Sequence, residues 1–216
     1  GVDQPIDIRT VLGGHAQRAD IPDTTSIDEF RAALAASDAD LLVGARGLAD
    51  ALAAAMTGQP LDLLETLPGP NGLFIVGSRD PITVRQAEIL RASEEVVFVG
   101  APNGQPVAPL PAAPRILLQA LPGAIGVAAE TVAQSLASAV SSILQPGFGT
   151  ALLCGGATAE AVLRRLGIRC LHVCGECLPG LVVSATDGLT ILTKSGGFGT
   201  KDSLAQVERM IGRDAE

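Results

Sequence analysis

The chain of 216 residues is 47% hydrophobic and 18% charged, with 25 Gly and 14 Pro, which is enough apolar material for a sizeable core with many turns and excludes an intrinsically disordered chain. Its five aromatic residues are all Phe, so Leu, Ile, Val and Ala must fill the core and few platforms remain for stacking nucleic-acid bases. The net charge of −8 is uneven, with 11 acidic side chains against four Arg in residues 1–65 and 12 against 11 basic ones in the remainder, and neither part offers the basic stripe of a nucleic-acid groove.

In chain order, the opening Gly1-Val2-Asp3-Gln4-Pro5 has no basic and no apolar region of a secretory signal. Ile6-Asp7-Ile8 reads as extended. A helix starts at Thr25-Ser26, with Asp28 and Glu29 in its first turn, and runs to about Ala36. Leu41-Leu42-Val43 reads as a short strand, and an Ala/Leu-rich helix follows from about Gly47 to Met56. Breakers at Thr57-Gly58-Gln59-Pro60 and Pro68-Gly69-Pro70-Asn71-Gly72 mark residues 58–72 as a linker between a front segment, 1–57, and a main domain, 73–216.

Beyond the linker, Leu73-Phe74-Ile75-Val76 is a continuous apolar run, as in a strand buried on both faces. Asp80 is suited to cap the next helix and Pro81 to its first position, with Ile82, Ala87, Ile89 and Leu90 facing the core. Val96–Val99 reads as a second buried strand and Ile116–Leu118 as a third, separated by a Pro-rich connection from Ala101 to Pro114. Ala128 to Leu144, interrupted by Glu130, Gln134 and four Ser, reads as a buried helix and not a membrane span. Strands at Ala151–Cys154, Ile168–Val173 and Leu189–Thr193 follow, with a helix ending at Gly167 and another closing the chain. Apolar strands alternating with helices predict an α/β fold, a largely parallel sheet flanked by helices on both faces. A soluble, cytoplasmic protein with no membrane partner is expected.

Two glycine clusters occupy equivalent places, each after an apolar strand and before a helix: Cys154-Gly155-Gly156-Ala157-Thr158 and Lys194-Ser195-Gly196-Gly197-Phe198-Gly199. One such cluster alone reads equally as a device that permits the turn or as a ligand site. Two at the carboxyl ends of strands in one sheet place free amides where an open α/β fold takes its ligands, an arrangement that suits phosphate. Neither cluster has the GxxxxGK[ST] or GxGxxG spacing, which disfavours a P-loop NTPase and a Rossmann dehydrogenase. Lys194 is either a phosphate partner or an exposed strand-end lysine. Glu176 is placed to hold ribose hydroxyls or Mg2+ through water, or to cap a turn. Ser78, Arg79 and Asp80 follow the first buried strand and face the same edge.

Cys170-Leu171-His172-Val173-Cys174-Gly175-Glu176-Cys177 has metal-like and redox-like spacing, but only Cys154 remains to supply another thiol, so buried, reduced, metal-free cysteines are expected. A strand over Ile168–Val173 would put Cys170, His172 and Cys174 on one face, with Cys177 beyond its end. His15, beside Gly13-Gly14, reads as a solvated loop residue.

In order as well as in motif, the chain resembles the four-carbon acid sugar kinases, which phosphorylate threonate, erythronate and related tetronates with ATP. The resemblance rests on Leu42 to Ala49, Val76 to Gln86, Gly155-Gly156-Ala157-Thr158, Cys174 to Gly180 and Lys194 to Gly199, and covers roughly residues 40–212. It implies a nucleotide-binding C-terminal domain using ATP and Mg2+, with Ser78, Gly155, Gly156, Ala157, Thr158, Glu176, Lys194, Gly196, Gly197, Phe198 and Gly199 at the nucleotide. It also implies a sugar-acid acceptor held by a separate or missing substrate domain, of which residues 1–57 are a remnant. Homo-oligomerisation is left open. Ala157 stands where the family has an acidic residue and Gly197 where it has Asn, and the family's acidic DDxTG segment is absent from this chain. These departures leave a second reading, a non-catalytic nucleotide- or anion-binding protein on the same fold.

Overall fold

The computed structural model describes residues 7–58 and 63–212. Two compact units divide the chain, Gly1–Leu61 and Asp62–Glu216.

The first unit is helical. α1 (Ile8–Leu12) is capped by Asp7, whose carboxylate accepts the Arg9 N–H, and runs into a 3-10 turn over Gly13–Arg18 that leaves His15 exposed. Of the predicted extended segment, Ile6 lies outside the described residues, while Asp7 and Ile8 begin this helix. The Arg9 guanidinium bridges Asp23 at 3.0 and 3.1 Å and also donates to the Ile21 carbonyl, which ties the turn back on itself. α2 (Ile27–Ala36) starts where the sequence predicts. Ser26 accepts the Glu29 N–H, and the Glu29 carboxylate reaches back to the amide and hydroxyl of Thr25, which holds it below the usual carboxylate range. α3 (Arg46–Thr57) ends at Gly58 in the left-handed region, φ +66°. The predicted strand at Leu41–Val43 is not formed. Leu41 and Val43 are 79% and 87% exposed, because the described part of this unit has no strand beside them to share backbone hydrogen bonds. Ala51 is the one buried residue described in the unit, which therefore has apolar helix faces but almost no core.

The second unit contains a seven-stranded sheet in the order β2-β3-β1-β4-β7-β6-β5. Its elements are β1 (Asn71–Val76), α4 (Pro81–Arg91), β2 (Val97–Pro102), β3 (Arg115–Leu121), α5 (Ala129–Val140), β4 (Gly149–Cys154), α6 (Gly156–Arg165), β5 (His172–Leu178), β6 (Leu181–Thr186), β7 (Leu189–Lys194) and α7 (Ser203–Met210). β2, β3, β1, β4 and β7 pair in parallel, and β6 and β5 extend the sheet antiparallel. The mostly parallel α/β fold agrees with the sequence. β6 was not expected, and β5 begins at His172, so Ile168–Leu171 are not strand. β2 is an edge strand with Val97 40% exposed, and not the doubly buried strand its apolar run suggests.

Alternation along the central strands builds two cores. On one face Phe74, Val76, Leu152 and Leu192 pack with Leu90 of α4 and with Leu204 and Val207 of α7. On the other, Leu73, Ile75, Leu153 and Ile191 pack with Leu136 and Val140 of α5 and Val162 of α6. Asp80 accepts the Ile82 N–H at 2.9 Å, with Pro81 at the first helical position, as expected for the α4 start.

The end of α7 is fastened to the amino edge of the sheet. Leu67 and Ile211 form a parallel bridge, and the Gly212 N–H donates to the Leu67 carbonyl. The Arg115 side chain, 5% exposed, donates to the carbonyls of Ile211 and Gly212 at 3.1 and 3.0 Å and lies 3.5 Å from the Glu208 carboxylate, itself 7% exposed. Removing one member of such a pair leaves a buried charge uncompensated. Arg115→Met is expected to lower stability by about 3–5 kcal/mol in equilibrium urea unfolding, and a loss below about 1 kcal/mol would show that solvent reaches Glu208.

Candidate functional site

β1 and β4 lie side by side and run the same way, yet their connections part. The chain leaves β1 for α4 on one face and turns toward β2; it leaves β4 for α6 on the opposite face and turns toward β5. That divergence is a topological switch point, and it opens a crevice at the carboxyl ends of the two strands. β7 pairs in parallel with β4, Cys154 opposite Lys194, so the turn after β7 emerges at the same edge.

The crevice is a cavity of about 440 Å3 lined by the turns Gly77–Arg79 and Gly155–Thr158, by Gly196, and by the start of α5 with Val127 and Ala129. Two helices begin there without a side-chain cap. α6 has Gly155, φ +105°, at its N-cap, and its first amide with an intrahelical partner is that of Ala159; α5 has Ala128 at its N-cap, and Val132 is the first to find one. The amides before them are the unpaired donors that every helix start presents, with the positive end of the helix dipole behind them. Glycine is required where the turns touch: a Cβ at Gly77 would collide with the Thr158 hydroxyl, and one at Gly196 would lie 2.7 Å from Ser78 Oγ. A Cβ at Gly156 would meet nothing within 4 Å, so that position faces open space.

Of the residues expected at the nucleotide, Ser78, Gly155, Gly156, Ala157, Thr158 and Gly196 line this one cavity. Gly197 adjoins it, its Cβ position 3.6 Å from Asp80 Oδ2. Lys194 is neither a phosphate partner within the cavity lining nor an exposed strand end. It is 2% exposed beneath the turn, its ammonium donating to the carbonyls of Ser195 and Gly196 and to Thr83 Oγ1. Burial pushes its pKa below the ordinary lysine value, against the opposing influence of the Cys154 thiol and Asp80. Glu176 Oε2 accepts the Gly180 N–H at 3.1 Å and caps the β5–β6 turn. Phe198 packs against Gly180 at that hairpin tip. Gly199, φ +88°, sits against Ser203 and Gln86, and α7 begins only at Ser203, so the second glycine cluster is a longer loop and not a direct helix start.

Sequence reading missed the α5 wall, Val127, Ala129, Val132 and Ala133, because nothing marks small apolar residues before a helix as ligand-facing. It also missed the supports Thr83 and Gln86, although both fall within the Val76–Gln86 motif. Arg79 is the one charged residue in the cavity lining. Among the described residues, no group of three or more His, Cys, Asp or Glu is arranged to hold a metal.

The fold and these turns define an open α/β domain with a cavity at the carboxyl edge of its sheet. Residues 111–204 match the family model described as the nucleotide-binding C-terminal domain, the kind of domain that the order of the motifs leads one to expect. It is 28% identical over 138 residues to a 3-oxo-tetronate kinase of Cupriavidus necator, covering 62% of this chain and 32% of that protein. It is 30% identical over 245 aligned positions to a D-threonate kinase of the same organism, covering 91% of this chain and 55% of that one. The chain therefore spans about a third to just over half of these relatives. A crystal structure from Haemophilus influenzae, of the DUF1537 family, superposes with a TM-score of 0.60 over 88% of this chain and 53% of its own at 20% identity, and shares the fold.

The four cysteines divide into two classes. Cys154 and Cys177 are buried, whereas Cys170 and Cys174 are exposed, contrary to the expectation that all are core residues. Burial raises both inner thiols, Cys177 to about 11. Since the thiolate is the reactive form, alkylation of the folded protein near neutral pH should modify Cys170 and Cys174 and spare the other two until denaturant is added. Mass spectrometry after sequential labelling with two reagents reads this directly, and a third fast thiol would contradict the structure.

Proposed function

We propose that the crevice between β1, β4 and β7 binds the phosphates of ATP, and that the chain is the ATP-binding part of a kinase transferring the terminal phosphoryl group to a hydroxyl of a tetronate-type sugar acid. The observation that carries this reading is the convergence of two uncapped helix starts and three glycine-containing turns on one cavity at the switch point. Peptide amides and helix dipoles there favour an anion without any net positive charge, which suits an acidic protein whose cavity has Arg79 as its one cation. The names of the relatives supply the substrate class, a small sugar acid, which in this chain remains part of the proposal.

Magnesium fits this site only as a passenger on the nucleotide, held by phosphate oxygens and water, because no cage of side chains is present among the described residues. Bound so, it would neutralise charge developing on the transferred group. The residues of this chain bind and orient: the amides of Gly156–Thr158 face the phosphates, the Thr158 hydroxyl adds a donor, and Arg79 lies over the anionic end. The acceptor would come from a substrate domain, of which residues 1–57 are the proposed remnant. Ala157 lines the cavity where the family carries an acid, which favours a second reading, an ATP-binding protein without turnover.

Gly156→Val tests the site, because φ there is not positive and a Cβ there meets nothing within 4 Å, so the variant should fold and obstruct only the ligand. ATP affinity by titration calorimetry should fall at least about tenfold, or roughly 1.4 kcal/mol, with an unchanged circular dichroism spectrum. Unaltered affinity in the folded variant would remove the phosphates from this crevice. Phosphorylation of threonate or erythronate by a parent protein that binds ATP would separate the kinase from the binding protein.

A further inference from the structure

Thr83 and Gln86 of α4 are polar, 0% exposed, and unused by the ATP-binding surface described so far. Both cross to the loop after β7. Thr83 Oγ1 donates to the Gly196 carbonyl and accepts from the Lys194 ammonium at 3.2 Å. Gln86 Nε2 donates to the carbonyls of Phe198 and Thr200, at 3.1 and 2.7 Å. Lys194 Nζ donates to the carbonyls of Ser195 and Gly196, at 3.1 and 3.0 Å. Three buried side chains thus hold four carbonyls of one short loop from below.

The planarity of the peptide makes this consequential. In a trans peptide the carbonyl and the following N–H point in opposite directions. Drawing the Ser195 and Gly196 carbonyls down onto Lys194 turns the amides of Gly196 and Gly197 the other way, toward the cavity that Gly196 lines. The Gln86 amide is locked in one orientation, since reversing it would set its oxygen against two carbonyl oxygens. That lock leaves Gln86 Oε1 buried with no hydrogen-bond partner, a cost of about 1–3 kcal/mol in general that packing alone gives no reason to retain.

We propose that Thr83, Gln86 and Lys194 are positioning residues, a clamp that fixes the 195–200 loop with its amides presented to the anionic end of the nucleotide. The inference rests on the ATP reading of the crevice for its ligand, and on hydrogen-bond geometry alone for the clamp. An ammonium has three N–H donors and meets three oxygens here, on Ser195, Gly196 and Thr83; a neutral amine has two and must release one. The Cys154 thiol lies 3.8 Å from the same nitrogen and the charge of Asp80 also favours the ammonium, yet burial lowers the lysine and raises the thiol. The loop therefore loosens as the pH rises, before an ordinary lysine would deprotonate.

The test uses the whole chain with Thr83→Val, Thr83→Ser, Gln86→Leu and Lys194→Met, each checked by circular dichroism and thermal unfolding. In folded Thr83→Val and Gln86→Leu, tryptic cleavage after Lys201 should be at least about fivefold faster than in the parent and ATP binding at least about tenfold weaker, and Thr83→Ser should restore both. Parent affinity should fall on going from pH 7.5 to 10, while Lys194→Met binds weakly with a flat profile. Parent-like cleavage and affinity in folded Thr83→Val and Gln86→Leu would overturn the clamp, and Thr83→Val keeps the question open to measurement if Gln86→Leu fails to fold. If the parent itself binds no ATP, the ATP reading has failed and the cleavage rates alone decide whether the clamp exists.

Discussion

Two parallel strands that share hydrogen bonds but send their chains to opposite faces leave a gap that no backbone can close. In this protein the gap lies beyond β1 and β4, and much else follows from it. It separates the two core layers, it brings glycines 77, 155 and 196 within contact of neighbouring side chains, and it lets α5 and α6 begin at a common cavity without capping side chains. A helix start sealed by its own Ser or Asp would have satisfied its amides locally. Here the alanine and glycine at those positions leave them without a side-chain partner.

The sheet was readable because its central strands are buried on both faces and so show as unbroken apolar runs. Leu73–Val76 and Ala151–Cys154 are cases where burial alone dictates composition. The same signal misled at Val96–Val99, where an apolar run occupies an edge, and at Leu41–Val43, where strand-forming residues have no described partner strand. β5 and β6 were hard to place for a different reason. Val173 and Cys174 point outward in an antiparallel extension of the sheet, and their exposure breaks the pattern that defines the parallel strands.

Glycine turns carried most of the site, since a residue chosen for the absence of a side chain is visible in any sequence. What stayed hidden was direction. Lys194 sits at the predicted place, at the end of β7 beside the predicted turn, yet its ammonium points into the protein. Glu176 likewise closes its own hairpin. Distance along the chain concealed the partnership of Gln86 with Phe198 and Thr200, because no local periodicity links a helix residue to a loop more than a hundred positions later.

The fastening of Ile211 and Gly212 by Arg115 and Leu67 sets the polarity of the domain as an object to be handled. Arg115 and Gly72 pair at the amino ends of β3 and β1, whereas the glycine turns lie at the carboxyl ends of β1, β4 and β7. Gly212 therefore lies at the edge of the domain remote from the crevice. A surface anchor or a fluorescent reporter attached at Gly212 would hold this unit by its back, at the end opposite its cavity.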